Sequence, residues 1–156
     1  MPIQYVAGDI FVNTYTAQAF AHGCNCQGSM GAGIAKEFKA RYPEMFEAYR
    51  RRCKAEPRQF NLGDVFLWKE AEKPWVFNLG TQEAYWHARA SYEAIEEALM
   101  KMKALAEAEN VQRIAIPQIG TGYGGLSWKK VQTIVEKIYS EWDGTLIVYE
   151  EYIPGQ

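Results

Sequence analysis

Nowhere in this chain of 156 residues do apolar side chains run unbroken for the roughly 20 positions that a bilayer-spanning helix needs. Its first residues, Met1-Pro2-Ile3-Gln4-Tyr5, carry no basic segment leading into an apolar run, so no secretory signal is expected. Cysteine is scarce and odd in number: Cys24, Cys26 and Cys53. That count speaks against a disulfide framework and for a reducing compartment, with the cytoplasm as the expected location and no membrane partner. A marked excess of charge of either sign is missing too, with 17 Lys and Arg against 19 Asp and Glu. The net charge of −2 excludes a broad electrostatic grip on nucleic acid. It leaves room for a nucleic-acid substrate held mainly through one nucleotide. No repeat, low-complexity run or linker breaks the chain, so one domain spanning residues 1–156 is expected.

Common chemical signatures are absent as well. The first glycine loop, residues 28–33, has neither the Gly-x-Gly-x-x-Gly order of a dinucleotide fold nor the Lys-Ser/Thr ending of a nucleoside triphosphate loop. No Ser–His–Asp order or carboxylate pair stands out by spacing. Cys24-x-Cys26 with His22 has the wrong spacing for zinc and no second ligand pair, so no metal is expected. Those cysteines fit better as small residues packed under a loop. His22 and His87 are the only histidines, and His22, three residues before Asn25, is the better catalytic candidate.

What the chain does have is two glycine loops, each after a strand. The first is Cys24-Asn25-Cys26-Gln27-Gly28-Ser29-Met30-Gly31-Ala32-Gly33, running into a helix over 33–41. Glycines let a ligand approach the backbone, and a helix N-terminus suits a phosphate. The second is Pro117-Gln118-Ile119-Gly120-Thr121-Gly122-Tyr123-Gly124-Gly125, where successive N–H groups can nest a second phosphate and Tyr123 can cover a ribose or base. Either loop alone also fits a tight connection with no ligand. Together they suggest one cleft gripping a phosphorylated ligand from two sides. Asp9, in Gly8-Asp9-Ile10, can accept from the amino group of adenine, or serve as a turn residue. Glu83, Tyr85 and Trp86 are placed on the cleft rim.

Periodicity predicts strands over 3–7, 17–23, 64–68, 75–79, 114–117 and 145–149, with 10–12 extended. It predicts helices over 33–41, 44–54, 90–108 and 128–142, and an irregular stretch over 80–89. The alternation gives an α/β sandwich with a mixed, mostly parallel sheet. The hairpin-like pair 64–68 and 75–79 argues against an all-parallel one. Ligands of such sheets lie beyond the carboxyl ends of the strands, where both glycine loops fall.

Gly8-Asp9-Ile10, Asn25 with Met30-Gly31-Ala32-Gly33-Ile34-Ala35, and Pro117-Gln118-Ile119-Gly120-Thr121-Gly122 together resemble a macrodomain over nearly the whole chain. Met-Gly-x-Gly-Ile-Ala with Phe38 and Tyr42-Pro43 is similar to the branch holding terminal ADP-ribose protein glycohydrolase and the DarG antitoxins. The resemblance implies a three-layer α/β/α module with ADP-ribose as ligand and product and no cofactor. It implies an ADP-ribosyl hydrolase that clears thymidine-linked ADP-ribose from single-stranded DNA, opposing a DarT-type toxin. An ADP-ribose reader, a hydrolase of protein-linked ADP-ribose and an antitoxin acting by contact are its alternatives.

By position, Asp9 and Ile10, next to Gly8, would hold adenine. Residues 31–34 and 121–123 would wrap the diphosphate, within a site that also takes in Gly28, Met30, Gln118, Ile119, Gly120 and Gly124. Asn25 would meet the distal ribose beside the scissile bond, with His22 as its assistant. The branch carries a lysine after a threonine before its long helix; here the dipeptide is Thr81-Gln82, and a glutamine amide cannot form the imine-type adduct a lysine can. The protein glycohydrolase has an aspartate where Gly124 or Gly125 stands here. Water held near the diphosphate is the remaining route.

Overall fold

The computed structural model describes residues 2–84, 90–121 and 124–156. Six strands form one sheet: β1 (Ile3–Gly8), β2 (Ala19–Asn25), β3 (Val65–Trp68), β4 (Trp75–Gln82), β5 (Arg113–Pro117) and β6 (Thr145–Tyr152). Four helices complete the described chain: α1 (Gly33–Arg41), α2 (Pro43–Lys54), α3 (Tyr92–Ala108) and α4 (Trp128–Tyr139). The sheet order is β1-β6-β5-β2-β4-β3. Every pairing is parallel except β3 with β4, which is antiparallel. The mixed, mostly parallel sheet is therefore as expected, with the hairpin-like pair as its antiparallel edge.

Strand alternation divides the core in two. Ala19 and Ala21 of β2, with Ile114 and Ile116 of β5, face Ile95, Leu99 and Met102 of α3 and Val131 and Val135 of α4. Phe20, Cys24 and Ala115 face Phe38 of α1 and Met45, Phe46 and Tyr49 of α2. Helices thus cover both faces, which is why β2 reads as a nearly continuous apolar run.

Local chemistry sets the element ends. Pro43 opens α2 at its first position, where its missing N–H costs nothing. Ser91 caps α3, its hydroxyl accepting from the Ala94 amide at 3.2 Å, so the helix begins at Tyr92 rather than at 90. α4 stops at Tyr139, short of the expected 142; Trp142 folds back edge-on against Tyr139, ring centres 5.3 Å apart. Residues 10–12 form turns, with the Val12 amide on the Asp9 carbonyl, and are not extended. β4 continues through Thr81 and Gln82, beyond the strand end at 79 that periodicity predicts, because β2 pairs beside it out to Asn25. No helix of the described residues is long and apolar enough to cross a membrane.

Candidate ADP-ribose site

Neighbouring strands β2 and β5 send their chains to opposite faces of the sheet. β2 leads to α1 on one side, and β5 leads through the second glycine loop to α4 on the other. A crevice opens beyond the carboxyl ends of strands that diverge in this way. Here it is a cleft of about 640 Å³. Met30, Gly31, Ala32, Gly33 and Ile34 form one wall, and Gln118, Ile119, Gly120, Thr121 and Gly124 the other. Asn25 and Gln82, register partners at the carboxyl ends of β2 and β4, line the end on the β4 side. Both loops thus meet across a single space, as the sequence suggested.

The α1 wall is built to face an anion. Its cap position is Ala32, which has no side chain to accept from the helix amides, and the first turn holds no acidic residue. The N–H groups that begin a helix have no intrahelical partner, and they carry the positive end of its dipole. Gly33 adopts φ +60 with open space around its missing Cβ, so the backbone itself forms the cleft surface. Gly120 in the opposing loop has φ +78, and a side chain there would be strained. Among the described residues that line the cleft, the only ionisable side chain is Cys24, and burial pushes its thiol well above its ordinary range.

A family model described as Macro domain matches residues 21–135. The chain belongs to the macrodomain family. It is 32 % identical over 133 residues to a DNA ADP-ribosyl glycohydrolase of Mycobacterium tuberculosis, covering 83 % of this chain and 36 % of that protein. The chain therefore spans about a third of that curated relative's length. It is 29 % identical to the human ADP-ribose glycohydrolase OARD1, across 94 % of this chain and 90 % of that one. The solved macrodomain of M. tuberculosis DarG superposes with a TM-score of 0.84 at 28 % identity, covering 98 % of both chains.

In this macrodomain the Asn25 side chain is already engaged. Its Nδ2 donates to the Ser29 carbonyl at 2.8 Å, and its Oδ1 accepts from the Gln27 amide at 2.9 Å. Asn25 braces its own loop and keeps one N–H for a ligand. Tyr49, fully buried on α2, donates its hydroxyl to the Asn25 carbonyl at 2.6 Å. Nothing in sequence spacing joins these two residues, 24 positions apart. Tyr49→Phe would leave that carbonyl without its buried donor. We expect a loss of about 1–2 kcal/mol in urea unfolding, with weaker ADP-ribose binding alongside. Unchanged stability and affinity would remove Tyr49 from the site.

His22 lies behind the cleft wall rather than in it. Its ring is fully buried and stacks on Phe38, centres 4.0 Å apart at 18°. Asn78 Nδ2 donates to the Phe66 carbonyl, which turns Asn78 Oδ1 toward His22, and Nε2 of His22 donates to it at 2.7 Å. The imidazole is a neutral core group whose pKa burial lowers to about 4. That arrangement corrects the expectation of a catalytic assistant.

Gly8, Asp9 and Ile10 do not line the cleft. Both Asp9 carboxylate oxygens accept backbone amides, Oδ1 from Phe11 at 2.9 Å and Oδ2 from Gly155 at 2.8 Å. Asp9 is a turn residue held under the segment 153–156, and the Ile153 amide donates to the Gly8 carbonyl. An adenine amino group would have to share or displace the Gly155 contact.

Gly28 also stays outside the cleft, packed against α2. Glu83 turns its carboxylate to the Arg58 guanidinium instead of the rim, in a two-pronged pair at 2.5 and 3.1 Å. Gly122 and Tyr123, with Tyr85, Trp86 and His87, lie outside the described residues. The cleft also takes in Ser29, Ala35, Thr81, Ala90 and Pro117. Of these, Thr81 and Ala90 depend on contacts no motif announces: the Ser91 amide donates to the Thr81 carbonyl, and the Ala90 amide to the Gly124 carbonyl. The three cysteines are buried and unpaired, as small packing residues under the loop.

Proposed function

We propose that this macrodomain is an ADP-ribosyl hydrolase that removes ADP-ribose from thymidine-linked ADP-ribosylated single-stranded DNA, as the antitoxin to a DNA-modifying toxin. The observation that carries the reading is the two-ended cleft. The uncapped start of α1 opposes the Gly120 loop where a diphosphate fits, and Asn25 with Gln82 lines the end where the distal ribose would lie. Similarity to the mycobacterial DNA ADP-ribosyl glycohydrolase supports the choice of substrate.

The reaction breaks the bond between the anomeric carbon and the base nitrogen. The carbon passes through a cation-like state and takes up the oxygen of water; the proton that water loses ends on the departing base. Apart from Cys24, whose thiol burial keeps protonated, no acid or base lines the cleft among the described residues, and those residues contribute by positioning. Asn25 meets the sugar with its remaining N–H, the Gln82 amide flanks it, and a phosphate oxygen of the bound ADP-ribose helps to orient the water.

A second reading is an ADP-ribose reader that releases nothing. It is favoured by the neutral Gln82 where the family resemblance implies a lysine. Incubation with an ADP-ribosylated thymidine oligonucleotide separates the two. Free ADP-ribose is the expected product, and intact substrate after prolonged exposure to stoichiometric protein would select the reader. Gln82→Lys bears on the same question. Because Gln82 already sits at the cleft end, an added amine supplies a nucleophile there, and we expect faster release with a borohydride-trappable adduct. Unchanged rates without an adduct would place the reacting carbon away from position 82.

A further inference from the structure

Positive charge is concentrated at one place in this slightly acidic chain. Five of its 17 Lys and Arg residues fall between positions 50 and 58, against a single acidic residue, Glu56. Two of the five have partners: Arg58 pairs with Glu83, and the Arg52 guanidinium lies 4.2 Å over the Phe66 ring. Arg50, Arg51 and Lys54 are exposed and enter no ion pair among the described residues.

Their position is what matters. A Cβ on Gly28 would lie 3.3 Å from Arg50 Cγ and 3.5 Å from Lys54 Cε, so both side chains run along the back of the Asn25–Ser29 loop. Arg58 reaches the same corner from the other side, through the residue that follows Gln82. The charge therefore gathers beside the Asn25–Gln82 end of the cleft. The diphosphate of ADP-ribose belongs at the α1 and Gly120 walls, where backbone amides already serve it. Basic residues in a last helical turn do complement the dipole. That role does not call for two unpaired stems laid against a loop of the site.

We infer that Arg50, Arg51 and Lys54 form a phosphodiester-binding rim, which holds the nucleic-acid strand on either side of the modified nucleotide. The inference deepens the proposed function and rests on it for the identity of the acceptor. The rim supplies local binding that the net charge withholds globally, and it distinguishes strand-borne ADP-ribose from the free ligand.

The test is the triple variant R50S/R51S/K54S against the parent protein, using an unmodified oligothymidylate 12-mer, its RNA counterpart and a polyglutamate peptide of similar charge. The parent should bind the oligonucleotides at low salt. The variant should bind them at least tenfold more weakly, with the slope of log affinity against log salt reduced by about 2, as loss of three phosphate contacts requires. Equal losses for the DNA and RNA 12-mers place recognition in the phosphates; a loss confined to either still supports the rim and adds a sugar preference. ADP-ribose affinity, measured by calorimetry, should stay within twofold. R50K/R51K should restore binding, since only the charge is at work.

No binding by the parent at low salt, an unchanged salt slope, or a loss shown by polyglutamate alone would overturn the inference, the last in favour of an acidic protein partner. These readouts need no turnover, so they stand apart from the release assay. If the parent also releases ADP-ribose, the variant should show a raised KM on the modified 12-mer and an unchanged KM on the modified mononucleotide.

Discussion

Gly31→Glu should weaken ADP-ribose binding by at least 100-fold, about 3 kcal/mol, without unfolding the protein. Gly31 lines the cleft one residue before the cap of α1. A Cβ there would meet only the Ser29 hydroxyl oxygen, at 3.6 Å, and the position is exposed, so a side chain fits. A carboxylate at the start of a helix is favourable by about 0.3–1 kcal/mol. The same charge takes the place proposed for the diphosphate. Thermal stability should therefore hold or rise slightly while affinity collapses. Gly31→Ala, which adds bulk without charge, should lose far less. Calorimetry that gave both variants parental affinity would move the phosphates elsewhere.

The second large effect is on stability and belongs to His22. In the unfolded chain this imidazole takes up a proton near its ordinary pKa of 6.5, whereas in the folded protein burial delays protonation to about 4. Between those values the unfolded state binds the extra proton, so stability is fully present above pH 6.5 and is lost as pH falls toward 4. The difference amounts to about 3 kcal/mol, a large part of what a domain of this size possesses. Urea unfolding from pH 7.5 to 4 should show the loss. His22→Gln should be less stable at neutral pH, because the stack on Phe38 goes, but its curve should be flatter by about that amount. Parallel curves would mean that His22 does not remain neutral in the fold.

His22 also shows where the sequence misleads. It stands three positions before Asn25, and on that ground it reads as part of the reactive end. Strand geometry decides otherwise. Side chains alternate along β2, and its face is the one that α1 closes with Phe38. Asp9 is a similar case, because its second oxygen is taken by Gly155, 146 positions away. The bond from Tyr49 to the Asn25 carbonyl has the same long-range origin, since Tyr49 meets the site through the packing of α2.

The glycine loops were legible because their chemistry is local. An uncapped, glycine-flanked helix start can be read from a dozen residues, and the order of strands and helices puts two such starts at one edge of the sheet. The sheet order itself is not local, and it is what makes β2 and β5 neighbours. The expected α/β architecture, the antiparallel pair and eleven of the expected ligand-binding residues around the cleft follow from these local signals. The residues that hold them in place do not.

The claim that this macrodomain works by positioning, with no group that titrates near neutral pH among the described residues of its cleft, is tested most directly by the pH dependence of a single turnover. ADP-ribose release from the modified oligonucleotide should proceed at a rate constant that changes less than threefold between pH 6 and 9. In that range the described cleft holds no group that gains or loses a proton. A bell or a step with an apparent pKa inside that window, or no release at any pH, would contradict the account.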